Sequence, residues 1–257
     1  MTRTTNNLEK MPFYHFSVDD VFESLIEITD KKIEVFDHPF FSFLRELHDE
    51  FDVKVDLYLF FQKKIDGRLR TLKEVSNSLK QILNDNSWIK FGPHALDQET
   101  SPYSQTPGEQ INTFNNIYNE IYRFSGKENI SKWVRLHRFS ESYELKDYFH
   151  SHGVEALFTT DKDRITTRMP DSINESLKLT GFAEYNGLKF IRSHIRTENL
   201  ANDGIKKEEL DELIKKYLNK HNHICFFTHE YEIPRDEVKF ITKELIKELY
   251  NKKIPSY

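Results

Sequence analysis

Apolar runs and amphipathic runs alternate along this chain almost from end to end. Short apolar stretches at 13–17, 53–61, 88–93, 133–139, 155–159, 188–195 and 223–228 predict strands. Several are nearly continuous in apolar residues, as expected of parallel strands covered on both faces. Between them, apolar positions spaced by three and four predict helices over 21–32, 40–51, 72–83, 111–124, 207–218 and 237–250. Such alternation predicts an α/β chain with right-handed crossovers, either an open doubly wound sheet or a closed barrel. Seven strands without a GxGxxG or GxxxxGK phosphate loop favour the barrel. Residues 161–187 are the least regular and read as an insertion or lid, opening on the loop-like Asp161-Lys162-Asp163-Arg164. No repeat or linker interrupts the pattern, so one domain over 1–257 is expected, with its core at about 12–250.

Composition narrows the function classes. A chain of 257 residues is ample for a core, burying ~75% of its unfolded surface. Acids outnumber Lys and Arg by 42 to 37, and there is no basic tract, which argues against nucleic acid as the main partner. The lone Cys225 excludes an intramolecular disulfide and suits a reducing compartment. No apolar run approaches the ~18 residues of a membrane span, and residues 1–10 lack a signal-peptide core. A soluble, cytoplasmic protein without a membrane span is expected.

The candidate chemistry lies where strands end, which in a barrel of this kind is the functional rim. Phe13-Tyr14-His15-Phe16-Ser17-Val18 runs into the adjacent carboxylates Asp19 and Asp20. Alternation along a strand sends these two in different directions, so one could bind a metal and the other move a proton. The third strand runs into His94, and the fourth carries Arg135, His137 and Arg138. The sixth places Arg192, His194 and Arg196 at alternate positions, hence on one face, and the last delivers His229 and Glu230. Each has a structural alternative: Asp19 as a helix cap, His94 closing a turn, the arginines in surface ion pairs, His194 and His15 as core histidines. Polar residues closing most strands together point to a pocket.

In order and spacing these residues resemble the polysaccharide deacetylase family, the NodB-homology domain of the carbohydrate esterases. Ser17-Val18-Asp19-Asp20 is similar to that family's first motif, Thr/Ser-Phe-Asp-Asp, and Phe227-Thr228-His229 to its last, Leu-x-His. Of the second motif, His-Ser/Thr-x-x-His, the stretch His94-Ala95-Leu96-Asp97-Gln98-Glu99 keeps the first histidine and has Gln98 at the second. The fourth-strand Arg-Pro-Pro-Tyr stands reshaped as Arg135-Leu136-His137-Arg138.

The resemblance implies a distorted (β/α)7-type barrel and a divalent metal, usually zinc. It implies Asp19 as general base, Asp20 and His94 as ligands, His229 as general acid, and Arg135 orienting the base. Either His137 or Glu99 would complete the ligands, both being acceptable donors to zinc; a harder metal is the alternative. The expected activity is removal of an acetyl group from an N-acetylated sugar or surface-glycan precursor. Arg138, Arg192, His194 and Arg196 are the expected substrate contacts, since guanidinium forks suit planar anions. The alternatives are a degenerate carbohydrate-binding or scaffold barrel, and hydrolysis of another bond in the same pocket.

Overall fold

A computed structural model describes residues 11–257 except 163, 165 and 167, so the polar start at 1–10 and Asp163 lie outside the described residues. In chain order the elements are β1 (Phe13–Val21), α1 (Glu23–Lys31), α2 (Pro39–Phe51), β2 (Val55–Phe60), β3 (Gln62–Ile65), β4 (Arg68–Thr71), α3 (Leu79–Asp85), β5 (Ile89–Ala95), α4 (Pro107–Phe124) and β6 (Trp133–Val134). They continue as α5 (Lys146–Ser151), β7 (Ala156–Thr159), α6 (Asp171–Thr180), β8 (Phe182–Tyr185), β9 (Leu188–Arg192), β10 (Ile195–Arg196), α7 (Thr197–Asn202), α8 (Lys207–His221), β11 (His223–His229) and α9 (Asp236–Asn251).

Local chemistry explains most boundaries. Helix α4 starts four residues before its apolar pattern because Thr106 and Glu109 form a capping box and Pro107 takes the first turn. The helix expected over 72–83 is instead broken: Leu72–Glu74 is one 3₁₀ turn, and Ser76 and Ser78 bond to each other ahead of α3. Two hairpins, β3–β4 and β8–β9, turn on Asp66-Gly67 and Asn186-Gly187, all four residues with positive φ. These are the sequence pairs that two-residue hairpin turns demand.

One sheet has the order β10-β11-β1-β2-β5 and a second the order β6-β7-β9-β8. All pairings along them are parallel except β8 with β9. The two sheets meet twice. Beside β5, the Ser131 amide donates to the Phe91 carbonyl at 2.9 Å. On the other side the chain passes from β9 to β10 through Ser193 and His194, whose amides donate to Thr159 and Cys225 carbonyls. The parallel strands thus follow one another round a ring in chain order, giving the mixed α/β, (β/α)7-type distorted barrel. Tyr14, Phe16 and Val18 belong to the main core between strands and helices, whereas Tyr58, Trp133, Ala156, Phe158, Ile191 and Cys225 form a separate cluster. No helix among the described residues is long and apolar enough to cross a membrane.

Candidate functional site

The C-terminal ends of β1, β5, β6, β7, β10 and β11 converge on a cavity of about 380 Å³, within reach of Asp19, His94, Arg135, His137, Arg196 and His229. In β1, Ser17 and Asp19 lie two residues apart and so share a face. Both accept hydrogen bonds from Arg135 Nη1, at 2.7 and 2.9 Å. Regular alternation would send Asp20 the other way. Instead the β1–β2 register slips between Val18 and Val21, and Asp20 takes φ of +62°. A bulge with one left-handed residue re-aims a side chain in this manner. The Asp20 carboxylate thereby meets His94.

The two histidines beside Asp20 are held from behind. His94 Nδ1 lies 2.7 Å from the Arg135 carbonyl, and His137 Nε2 lies 3.0 Å from the Gln98 carbonyl. A carbonyl only accepts, so each of those nitrogens carries the proton and each inner nitrogen presents its lone pair. These inner atoms, His94 Nε2 and His137 Nδ1, are 3.2 Å apart. They stand 3.1 and 3.6 Å from Asp20 Oδ1, a buried oxygen without a hydrogen-bond partner among the described residues. With both rings neutral, three acceptors face one another. Four-coordinate zinc with bonds of ~2.0–2.1 Å spaces its donors by roughly 3.3 Å, so this set fits a divalent cation.

Protonation suits the same role. Burial opposes ionisation of Asp20, but contact with His94, with His229 nearby, more than offsets it, and its pKa falls below the ordinary value. Burial, then the adjacent His94, push His137 down to about 4, leaving it neutral. An ionised carboxylate and neutral imidazoles are the forms that bind metal.

Across the mouth, β11 pairs with β1 so that His229 is the partner of Asp19. His229 Nδ1 donates to Glu198 Oε1 at 2.6 Å. Burial disfavours charge on His229, yet Glu198, Asp19 and Asp20 together raise its pKa. Glu230, next along, accepts from the Phe22, Glu23 and Ser24 amides and from the Ser24 hydroxyl. It caps α1, which has no side-chain cap of its own, and ties the end of β11 to the turn that carries Asp20.

Three expected site residues lie elsewhere. Glu99 is exposed in the turn organised by Asp97, and neither cluster of potential ligands among the described residues, Asp20, His94 and His137 or the buried His194, His223 and Cys225, includes it. Arg192 and His194 do not share a face with Arg196. The strand expected over 188–195 breaks at Ser193, so Arg192 ends β9 in one sheet while Arg196 lies in β10 of the other. His194 is a satisfied core histidine: Nδ1 accepts from the Cys225 amide at 2.9 Å, and Nε2 lies 2.8 Å from His221 Nδ1. The strand expected over 133–139 ends at Val134, after which His137–Phe139 folds into a 3₁₀ turn. That turn brings Arg138 to the cavity with φ of +53°. Sequence reasoning missed Glu198, Lys162 and Arg164.

No family model and no curated protein matches the chain. Among solved structures, 4-alpha-glucanotransferase from Thermococcus litoralis aligns over 96% of this chain and 39% of its own, at 10% identity and TM-score 0.60. A mutant, with restored enzymatic activity, of a CE4 family pseudoenzyme from Bacillus anthracis aligns over 96% of this chain and 65% of its own, at 13% identity and TM-score 0.53. The chain therefore spans less than two thirds of the length of either. At these identities what is shared is the fold, a mixed α/β barrel of the (β/α)7 type.

Proposed function

We propose that this chain is a metal-dependent hydrolase that removes an acetyl group from an N-acetylated sugar, with one divalent cation, zinc by its donor set, held by Asp20, His94 and His137. The observation that carries this reading is the set of three facing acceptors beside two further pairs, Asp19–Arg135 and His229–Glu198, at one cavity. Two imidazoles and a carboxylate leave coordination positions open, as catalytic zinc sites do. A cation bound there would polarise the acyl carbonyl and acidify water, whose pKa can fall from 15.7 to ~7. Asp19, with the Arg135 guanidinium beside it, takes the proton that the attacking water gives up. His229 gives a proton to the departing nitrogen, and Glu198 orients its ring. Positioned acids and bases of this kind are each worth ~10²–10⁴-fold.

The test is acetate release from N-acetylhexosamine substrates by the zinc-loaded protein, with phosphate release from phosphoesters measured alongside. Acetate release that chelation abolishes supports the proposal. A second reading, a barrel that binds carbohydrate without hydrolysing it, draws on Gln98 at the family's second-histidine position and on the pseudoenzyme among the fold's neighbours. Sugar binding without acetate release at full metal occupancy would establish that reading instead.

The pH profile provides a further expectation. His229 must be protonated to act as the acid, so kcat falls as pH rises through its raised pKa. Glu198→Gln removes a carboxylate that raises this pKa, so the alkaline limb of the kcat profile should move to lower pH. An unmoved limb would remove His229 from the acid role.

A further inference from the structure

The cavity mouth carries cations that hydrolysis of a neutral amide does not use. Arg138, Lys162, Arg164 and Arg196 line it, from the turn after β6, the loop after β7 and strand β10. Arg196 is engaged, with Nη2 3.3 Å from Asp161 and Nε 3.9 Å from Glu198. Arg138, Lys162 and Arg164 pair with no carboxylate among the described residues; Arg164 Nε donates to the Thr166 carbonyl. Of the two acids that line the cavity, Asp19 is paired with Arg135, and Glu141, which accepts from the amide of Arg168, leaves the four cations in excess. A metal in the Asp20 site would add positive charge beneath the same opening. This concentration stands in a chain whose net charge is -5, and clefts lined by one sign of charge concentrate ligands of the other. Arg138 is held there in a left-handed conformation, as is Phe139 after it, a backbone arrangement that non-glycine residues adopt at a cost.

We infer that the sugar taken into this cavity carries an anionic group, phosphate or carboxylate, received by Arg138, Lys162 and Arg164 while its acylamide faces the Asp20–His94–His137 cluster. This inference rests on the proposed function for the acylamide only. The cavity volume, about 380 Å³, is in the lower part of the ~300–1,000 Å³ range of small-ligand sites.

The test is calorimetric titration of the zinc-loaded full chain with N-acetylglucosamine 1-phosphate, N-acetylmuramic acid, inorganic phosphate and neutral N-acetylglucosamine. At least one anionic sugar should bind about tenfold or more tightly than the neutral one, and which one does so separates phosphate from carboxylate recognition. Arg138→Ala with Arg164→Ala should abolish that margin at unchanged zinc content, while Arg138→Lys with Arg164→Lys should keep most of it. Equal binding of neutral and anionic sugars overturns the inference. So does a margin that disappears on chelation in the native protein, or survives the double alanine change, since the metal or another group would then hold the anion. Acetate release is measured separately. A charge margin without hydrolysis sinks the proposed reaction and leaves the anion site standing, and hydrolysis without a margin does the reverse.

Discussion

For the proposed metal centre, His137→Ala is expected to lose the divalent ion and the proposed hydrolysis, whereas Glu99→Ala keeps both. Elemental analysis of dialysed protein reads the first effect and acetate release the second. Removing an outer residue that merely orients a ligand typically costs 10–100-fold in affinity, so removing one of three donors should exceed that range. Asp20→Asn tests the carboxylate more cleanly than alanine, because Asn tolerates the left-handed backbone that Asp20 adopts and only the anionic donor is lost. Gln98→Ala provides the internal control. His137 is held by the carbonyl of residue 98 and not by its side chain, so this variant should retain its metal. Stoichiometric ion in His137→Ala would dismantle the proposed centre.

The contrast between His137 and Glu99 also marks how far the chain could be read without coordinates. Both are acceptable donors near His94, and spacing alone does not separate them. The decision lies in where the chain turns. Asp97 accepts from the amides of Glu99 and Thr100, curling that loop so that Glu99 faces solvent. The end of β6 at Val134 folds His137 back over His94. Asp19, Asp20 and His229 stand out in the sequence as polar residues that close an apolar run, and Arg135 as a charge inside one. The route by which Asp20 arrives was not legible, since strict alternation would have kept it apart from His94 without the bulge.

The misreading at Arg192, His194 and Arg196 has the same origin as the missed hairpins. An apolar period of two is blind to a break between sheets, so β9 and β10 read as one strand. Asp66-Gly67 and Asn186-Gly187 were visible turn signals, but the segments flanking them are short and partly polar. Glu198 left no local trace: its partner His229 is 31 residues away in sequence, and only the parallel pairing of β10 with β11 brings them together.

Arg135→Met is expected to destabilise the fold by about 3–5 kcal/mol, the usual cost of removing one partner from a buried ion pair. Arg135 is fully buried and Asp19 nearly so. Without the guanidinium, a carboxylate would remain in the barrel interior with its charge uncompensated. The guanidinium also lies 4.0 Å from the Phe227 ring centroid and 4.7 Å from that of Phe158, contacts worth about 2 kcal/mol when desolvated. Methionine keeps much of the apolar packing, so the loss should report chiefly on charge. For a chain of this size a melting temperature lower by roughly 6–20 °C follows. Replacing both partners, Arg135→Met with Asp19→Asn, should recover a substantial part of that stability while leaving the proposed hydrolysis abolished, because the doubly neutral pair has no stranded ion but also lacks the proposed base. Metal content provides the third reading. His94 is anchored by the backbone carbonyl of residue 135 and not by its side chain, so a folded Arg135→Met protein should still bind its ion. Losses from the two single changes that merely add in the double variant would mean that Arg135 and Asp19 do not act as a pair.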